Sequence, residues 1–165
     1  MKRIITVLAL FMALAAMGKP VTPERMPVAC DVLQAIDIAA TLGPDATYEQ
    51  GILNETKYIR LSLCSAETPD LSARMTLTVV ETLDGEVRDA ATLRARMVKE
   101  LRETAGAALV IDTVQIGDEA IWVGEIGQLT VWHRAGRVMF IFSPTPSQDR
   151  AAAEAAAGKV LAEFP

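Results

Sequence analysis

The stretch QLTVWHRAGRVMFIFS, residues 128–143, determines the fold that we expect. The pair Ala135-Gly136 favours a tight hairpin turn, and the largely apolar residues on each side of it have the pattern of two strands. A two-residue turn at this pair predicts the cross-strand neighbours His133 and Val138, Val131 and Phe140, and Leu129 and Phe142. Both faces of this hairpin are largely apolar. We therefore expect a central hairpin that is covered by other elements on two sides.

The rest of the chain alternates between strand and helix patterns without a regular strand-helix-strand repeat. Further strands are predicted at residues 46–53, 56–65, 73–83, 109–115 and 119–123, and helices at residues 31–42, 89–106 and 145–164. Two capping boxes, Asp31 with Gln34 and Thr145 with Gln148, predict the starts of the first and last helices. The pattern indicates an α+β protein with a mostly antiparallel sheet of about six to seven strands, packed with helices.

The first 18 residues have the pattern of a secretory signal peptide. Lys2 and Arg3 precede an apolar run over residues 4–17, which is shorter than the ~20 residues that cross a bilayer. Cleavage after Gly18 is the preferred prediction, cleavage after Ala16 is the next, and an uncleaved membrane anchor is the alternative. No cysteine follows the run directly, so a lipid anchor is not expected.

The remaining chain divides into a short tether and one domain. Residues 19–27 contain three prolines and no apolar period, which predicts an extended tether. Residues 28–165 have the length and apolar content of a single globular domain. Because Gly18 marks the preferred cleavage position, the tether would form the start of the exported protein.

Charge limits the kinds of partner. The full chain has a formal net charge of −5, and removing Lys2 and Arg3 leaves 14 basic against 21 acidic residues, a net charge of −7. Nucleic acids and anionic lipid surfaces bind clustered Lys and Arg, and no such cluster is present. We therefore expect no nucleic-acid partner and no stable membrane insertion after signal cleavage. An unknown protein or small ligand is the expected partner.

The chain has two cysteines, Cys30 and Cys64. Two thiols in an exported protein favour one disulfide bond, and the Cys-x-x-Cys spacing of a redox site is absent. In the strand over residues 56–65, Cys64 lies on the face opposite Ile59. A bond to Cys30 would therefore place the first helix at the edge of this strand or over its more polar face.

The stretch IGDEAIWVG, residues 116–124, contains two adjacent carboxylates near the only histidine. Gly117 suits a turn that requires a positive φ, and Asp118 can accept backbone N–H bonds within it, so both are predicted as structural turn residues. His133 is predicted as an exposed imidazole at a hairpin end. The alternative is an extracytoplasmic hydrolase that uses Asp118 or Glu119 with His133. Adjacent residues in a strand point to opposite faces, which disfavours that alternative.

No other pattern indicates catalysis or cofactor binding. One histidine, two cysteines expected to pair and no Asp-rich loop give no recognisable set of metal ligands. Nucleotide-binding loops and the motifs of serine nucleophiles are absent. The prediction is therefore no catalytic residue, no cofactor and no metal. The expected function is that of a noncatalytic periplasmic or envelope domain that binds a protein partner or small ligand.

The layout of these motifs resembles a known group of proteins. It comprises Cys30 before a short helix that ends at Leu42-Gly43, a cysteine in the second strand, the stretches IGDEAIW and LTVWHRAG, and an Ala-rich last helix. Small secreted bacterial proteins and lipoproteins of unknown function share this layout over residues 30–164, and they are similar to the PsbP-like fold. The resemblance implies a curved antiparallel sheet between helices, an α/β/α sandwich. It implies structural roles for Cys30, Cys64 and residues 117–120, and no catalytic residue.

Overall fold

The computed structural model describes residues 25–43, 45–84 and 89–165. The predicted signal peptide, its cleavage positions and most of the tether lie outside these residues. The helices are α1 (Ala29–Ala35), α2 (Ile38–Leu42), α3 (Ala90–Ala105) and α4 (Arg150–Glu163). The strands are β1 (Thr47–Glu55), β2 (Ile59–Glu67), β3 (Arg74–Thr82), β4 (Ile111–Val114), β5 (Glu119–Val123), β6 (Gln128–His133) and β7 (Val138–Thr145).

The seven strands form one antiparallel sheet in the order β1-β2-β3-β7-β6-β5-β4. The sheet is open, and β1 and β4 are its edges. The predicted α+β class is therefore confirmed. In the β6–β7 hairpin the pairs His133 with Val138, Val131 with Phe140, and Leu129 with Phe142 have the predicted register. Arg134, Ala135 and Gly136 all have positive φ, and the backbone N–H of Arg137 donates to the backbone oxygen of Arg134 across the turn.

Helices pack on both faces of the sheet. Helices α1, α2 and α4 cover the first face, where the larger core includes Leu77, Phe140 and Phe142. Helix α3 packs on the second face over β5 and β6, against a smaller cluster that includes Trp132. Buried alanines and one valine let α4 lie close to the sheet. The central hairpin is thus covered on two sides, as its apolar faces predict.

The predicted starts of two helices are wrong. Helix α1 begins after Val28 with no side-chain cap, so the Asp31–Gln34 box does not form. Thr145 is the last residue of β7, paired with Arg74, and is therefore not a helix cap. Asp149 caps α4 instead, because its carboxylate accepts a hydrogen bond from the backbone N–H of Ala152.

The predicted single first helix is also wrong, because the chain forms two short helices. Asp37 lies between α1 and α2 with a φ of 48°, in the left-handed region of backbone conformation. This conformation ends the helical path of α1 and changes the direction of the chain before α2. Ile38 at the start of α2 is then buried in the main core.

A disulfide bond joins Cys30 in α1 to Cys64 in β2, as predicted. The Cα atoms lie 5.1 Å apart. Cys64 is fully buried on the first face of the sheet, together with Ser62 and Ala66. The helix thus lies over the more polar face of β2, and Ser62 Oγ accepts a hydrogen bond from the backbone N–H of Ala29.

The described part of the predicted tether is packed against the domain. Met26 is 1% exposed, and its backbone N–H donates to Glu81. Arg25 forms an ion pair with Glu55 at 2.8 Å. The packed domain therefore begins by Met26, before the boundary at residue 28 that the composition predicts.

Candidate functional site

The turn before β5 is held by backbone contacts to the β6–β7 hairpin. Gly117 has a φ of +65°, and a Cβ atom at this position would lie 2.7 Å from the backbone oxygen of Trp132. The backbone N–H of Asp118 donates to that same oxygen at 2.9 Å. The Asp118 carboxylate accepts from the backbone N–H of Ala135 at 2.7 Å. Asp118 therefore links the turn before β5 to the turn between β6 and β7 by hydrogen bonds.

Replacing Gly117 with alanine is expected to lower the free energy of unfolding by about 2 to 3 kcal/mol. The left-handed conformation and the close approach to a backbone oxygen both disfavour a Cβ atom. Urea denaturation measures the change. Gly158, around which a Cβ would meet no atom within 4 Å, is the matched control and should tolerate alanine. Equal stability of the Gly117→Ala variant and the parent protein would contradict this account.

Glu119 and His133 contact different parts of the molecule. The Glu119 carboxylate pairs with Arg94 of α3 at 3.0 Å. His133 is half-buried, and its Nε2 atom lies 2.9 Å from the backbone oxygen of Phe164, just after α4. The prediction of an exposed imidazole is wrong, because the end of α4 reaches the ring. The structure thus gives the side chains of Asp118, Glu119 and His133 three separate partners.

A buried carboxylate that sequence reasoning missed lies at one end of β3. The Glu81 side chain is 0% exposed and pairs with Arg60 at 2.7 Å and Arg137 at 3.1 Å. It also accepts the backbone N–H of Met26 at 3.2 Å. Every second residue of β3 is buried, and Glu81 is the last of these buried positions. An acidic residue at a position where the strand pattern predicts a core residue is the sequence signal that could have indicated this carboxylate. These contacts hold three other chain segments to β3.

A second polar cluster lies in the β2–β3 loop. Asp70 accepts hydrogen bonds from the hydroxyl group of Thr68 and from the hydroxyl and backbone N–H groups of Ser72. The bond from Thr68, followed by those from Ser72, lowers the pKa of Asp70 to about 2. These hydrogen bonds favour the charged form of the carboxyl group.

The Asp70 carboxyl group is expected to titrate near pH 2, below its ordinary value of 3.8. Because the folded-state pKa is lowered, its contribution to stability is present above the ordinary pKa and is lost as pH falls through about 2. NMR titration of the carboxyl carbon measures the midpoint. The Thr68→Val variant should shift the midpoint towards 3.8. A midpoint at that ordinary value in the parent protein would contradict the hydrogen-bonded loop.

The β1–β2 hairpin exposes large apolar side chains. Seven large hydrophobic residues are exposed in the described part of the chain, and four of them lie in this hairpin: Ile52, Leu53, Tyr58 and Ile59. We call Ile52, Leu53 and Tyr58 the hairpin surface; each is 55–57% exposed. The Thr56 hydroxyl oxygen accepts the backbone N–H groups of Tyr58 and Ile59, which orders the tip. The hairpin surface is therefore held by an ordered turn.

A groove of about 400 Å³ lies between α3 and the second face of the sheet. We call it the α3 groove. Its main lining side chains are Ile59, Val80, Met97, Trp132, Arg137 and Met139. The lining is thus mostly apolar, and its charged members are Arg96, Glu100 and Arg137. Ligand pockets commonly have such an apolar lining with a few polar groups.

A second depression of similar volume, near β4 and β5, is lined in part by Asp112, Trp122 and Glu125. Both of its carboxylates already have partners: Asp112 pairs with Arg150, and Glu125 accepts the backbone N–H of Val110. Among residues 25–43, 45–84 and 89–165, no group of three His, Cys, Asp or Glu side chains is placed to hold a metal ion. The apolar surfaces therefore remain the best candidates for binding.

Comparisons with family models, curated proteins and solved structures found no match to this chain. No helix in the described ranges is long and apolar enough to cross a membrane.

Proposed function

We propose that the protein is an exported, noncatalytic domain of the periplasm or cell envelope that binds a protein partner through the hairpin surface. The observation that carries this proposal is the concentration of exposed apolar side chains on one hairpin at the edge of the sheet. Burying such side chains against a partner would remove their apolar area from water. This gain would favour association.

The position and shape of β1 indicate how a protein partner would be recognised. Within the described residues it is an edge strand, so one side of its backbone has no neighbouring strand there. The register of β1 shifts between Gln50 and Leu53, and this irregularity carries Ile52. An irregular edge resists continuous strand pairing with another chain. Recognition would therefore rest mainly on side chains of the hairpin surface rather than on a long backbone ladder.

Two features support export. Residues 1–18 have the order of a secretory signal peptide, and a disulfide bond is typical of proteins that work in oxidising compartments.

We also propose that the fold is PsbP-like, and the layers of helices on both sides of an antiparallel sheet support this. Together these features favour a small extracytoplasmic binding domain.

The test compares two charged variants of equal design. The parent protein is cross-linked in intact cells, its partner is identified by mass spectrometry, and the affinity of the purified pair is measured. Leu53→Asp should weaken binding at least tenfold, because a charge would be buried in the interface. Ile126→Asp, at a position 51% exposed in another hairpin, is the matched control and should bind normally. If Leu53→Asp and Ile126→Asp bind the partner with equal affinity, and both variants have the melting temperature of the parent protein, the proposal is contradicted.

A further inference from the structure

We propose that the α3 groove is a second binding site, for a single-chain amphiphile that carries one anionic head group. The groove lies between α3 and strands β2, β3, β6 and β7, whereas the hairpin surface lies on β1 and the turn that follows it. This inference does not depend on the proposed protein partner. It rests on the apolar lining of the groove and on the charge of Arg137, which lines it.

The lining suits an alkyl chain. Val80, Met139 and Trp132 contribute from the sheet, and Met97 contributes from α3. The volume of about 400 Å³ lies within the range of about 300 to 1,000 Å³ that is usual for small-molecule sites. Methionine side chains are unbranched and adaptable, so Met97 and Met139 can fit chains of different shape. An apolar body is therefore the expected part of the ligand inside the groove.

The charges of the groove favour an anion. Three charged residues line it, and two of them, Arg96 and Glu100, pair with each other at 2.7 Å. The third is Arg137, which shares the single carboxylate of Glu81 with Arg60. Among the described residues, two guanidinium groups on one carboxylate leave one surplus positive charge. One negative charge on a ligand would therefore be complementary to this part of the groove.

Arg137 also has an unused donor. Its Nε atom donates to the backbone oxygen of Thr82 and its Nη2 atom to Glu81, but Nη1 is buried without a hydrogen-bond partner in the described part of the chain. A buried donor without an acceptor lowers stability, because it has lost its hydrogen bonds to water and gained none in the protein. The Arg137 side chain is 21% exposed and lines the groove, so a small rotation would present Nη1 to an anionic oxygen.

Titration with four ten-carbon amphiphiles tests this site. Decanoate and decyl phosphate carry anionic heads, decanol is neutral, and decyltrimethylammonium is cationic; each is used below its micelle-forming concentration. The methionine methyl groups are labelled with ¹³C, and NMR follows Met97 and Met139 in the purified protein. Both signals should shift with the anionic amphiphiles, which should bind at least tenfold more tightly than the other two. Tighter binding of decanoate would assign a carboxylate head, and tighter binding of decyl phosphate a phosphate head.

Variants separate the site from general surface binding. Met97→Glu, at a half-exposed position of α3, should weaken decanoate binding at least tenfold by charge repulsion. Arg137→Lys keeps a cation beside Glu81 but removes the planar guanidinium, so it should reduce the preference for anionic heads. Ile126→Glu is the control outside the groove and should bind as the parent does. Absence of Met97 and Met139 shifts, or equal affinity for anionic and cationic amphiphiles, would overturn the proposal.

Discussion

Replacing Glu81 with glutamine is expected to lower the free energy of unfolding by about 3 to 5 kcal/mol, a range typical of removing one partner from a buried ion pair. Glutamine has a similar shape but no charge. Its introduction would remove the carboxylate with which Arg60 and Arg137 both pair, and would weaken the acceptor for the Met26 backbone N–H. Urea denaturation of the variant and the parent protein measures this loss.

Glu100→Gln is the matched control for this substitution. Glu100 also pairs with an arginine, Arg96, at 2.7 Å, but both side chains are more than half exposed. Exposed pairs contribute about 0 to 1 kcal/mol, because water solvates each charge when its partner is lost. The control should therefore stay close to the parent in stability. Similar losses in both variants would show that burial of Glu81 does not have the energetic role assigned to it.

Replacing both Cys30 and Cys64 with serine is expected to lower the free energy of unfolding by about 3 to 4 kcal/mol. The bond closes a loop with a sequence separation of 34, and loop closure of this length restricts the unfolded chain by about that amount in the entropy model. The cross-link also fixes α1 to β2, where Cys64 is fully buried. Chemical denaturation under non-reducing conditions measures the change.

Two comparisons isolate the contribution of the disulfide. Reductant should destabilise the parent protein and leave the double-serine variant unchanged. Partner binding by the folded double-serine variant should persist at low temperature, because Cys64 is fully buried and neither cysteine belongs to the hairpin surface. Two free thiols in the denatured, unreduced protein, or a double-serine variant with the full melting temperature, would refute the structural role of the bond.

The central hairpin could be predicted because its determinants are close together in sequence. A turn at Ala135-Gly136 fixes the register of both strands, and register then fixes which side chains share a face. His133 and Val138 are paired as expected for this reason. The cysteine pair could be predicted from residue count and export context. The alternation around Cys64 then restricted where the first helix could lie.

Other features could not be predicted because distant residues determine them. Glu81 meets Arg60, Met26 and Arg137 across sequence separations of 21, 55 and 56 residues. Local pattern alone does not reveal such partners. Thr145 fits a helix cap locally, yet pairing with Arg74 keeps it in the sheet, and Asp149 provides the cap.

The hairpin surface depends on strand order. The pattern of β1 was a weak strand signal, and only the complete sheet shows that β1 is an edge. The α3 groove likewise requires α3 to pack beside the second face of β3 and β7. Both candidate sites are therefore properties of the assembled sheet rather than of a sequence motif.

Site-specific photo-cross-linking in living cells tests the central claim most directly. A photoreactive amino acid is placed at Leu53 or Tyr58 of the hairpin surface, and at Ile126 as the matched exposed control. The account predicts one defined protein adduct from Leu53 and Tyr58, formed by the exported protein, and no such adduct from Ile126. Absence of an adduct at the hairpin surface, or the same adduct from all three positions, would contradict the claim that this hairpin binds a protein partner.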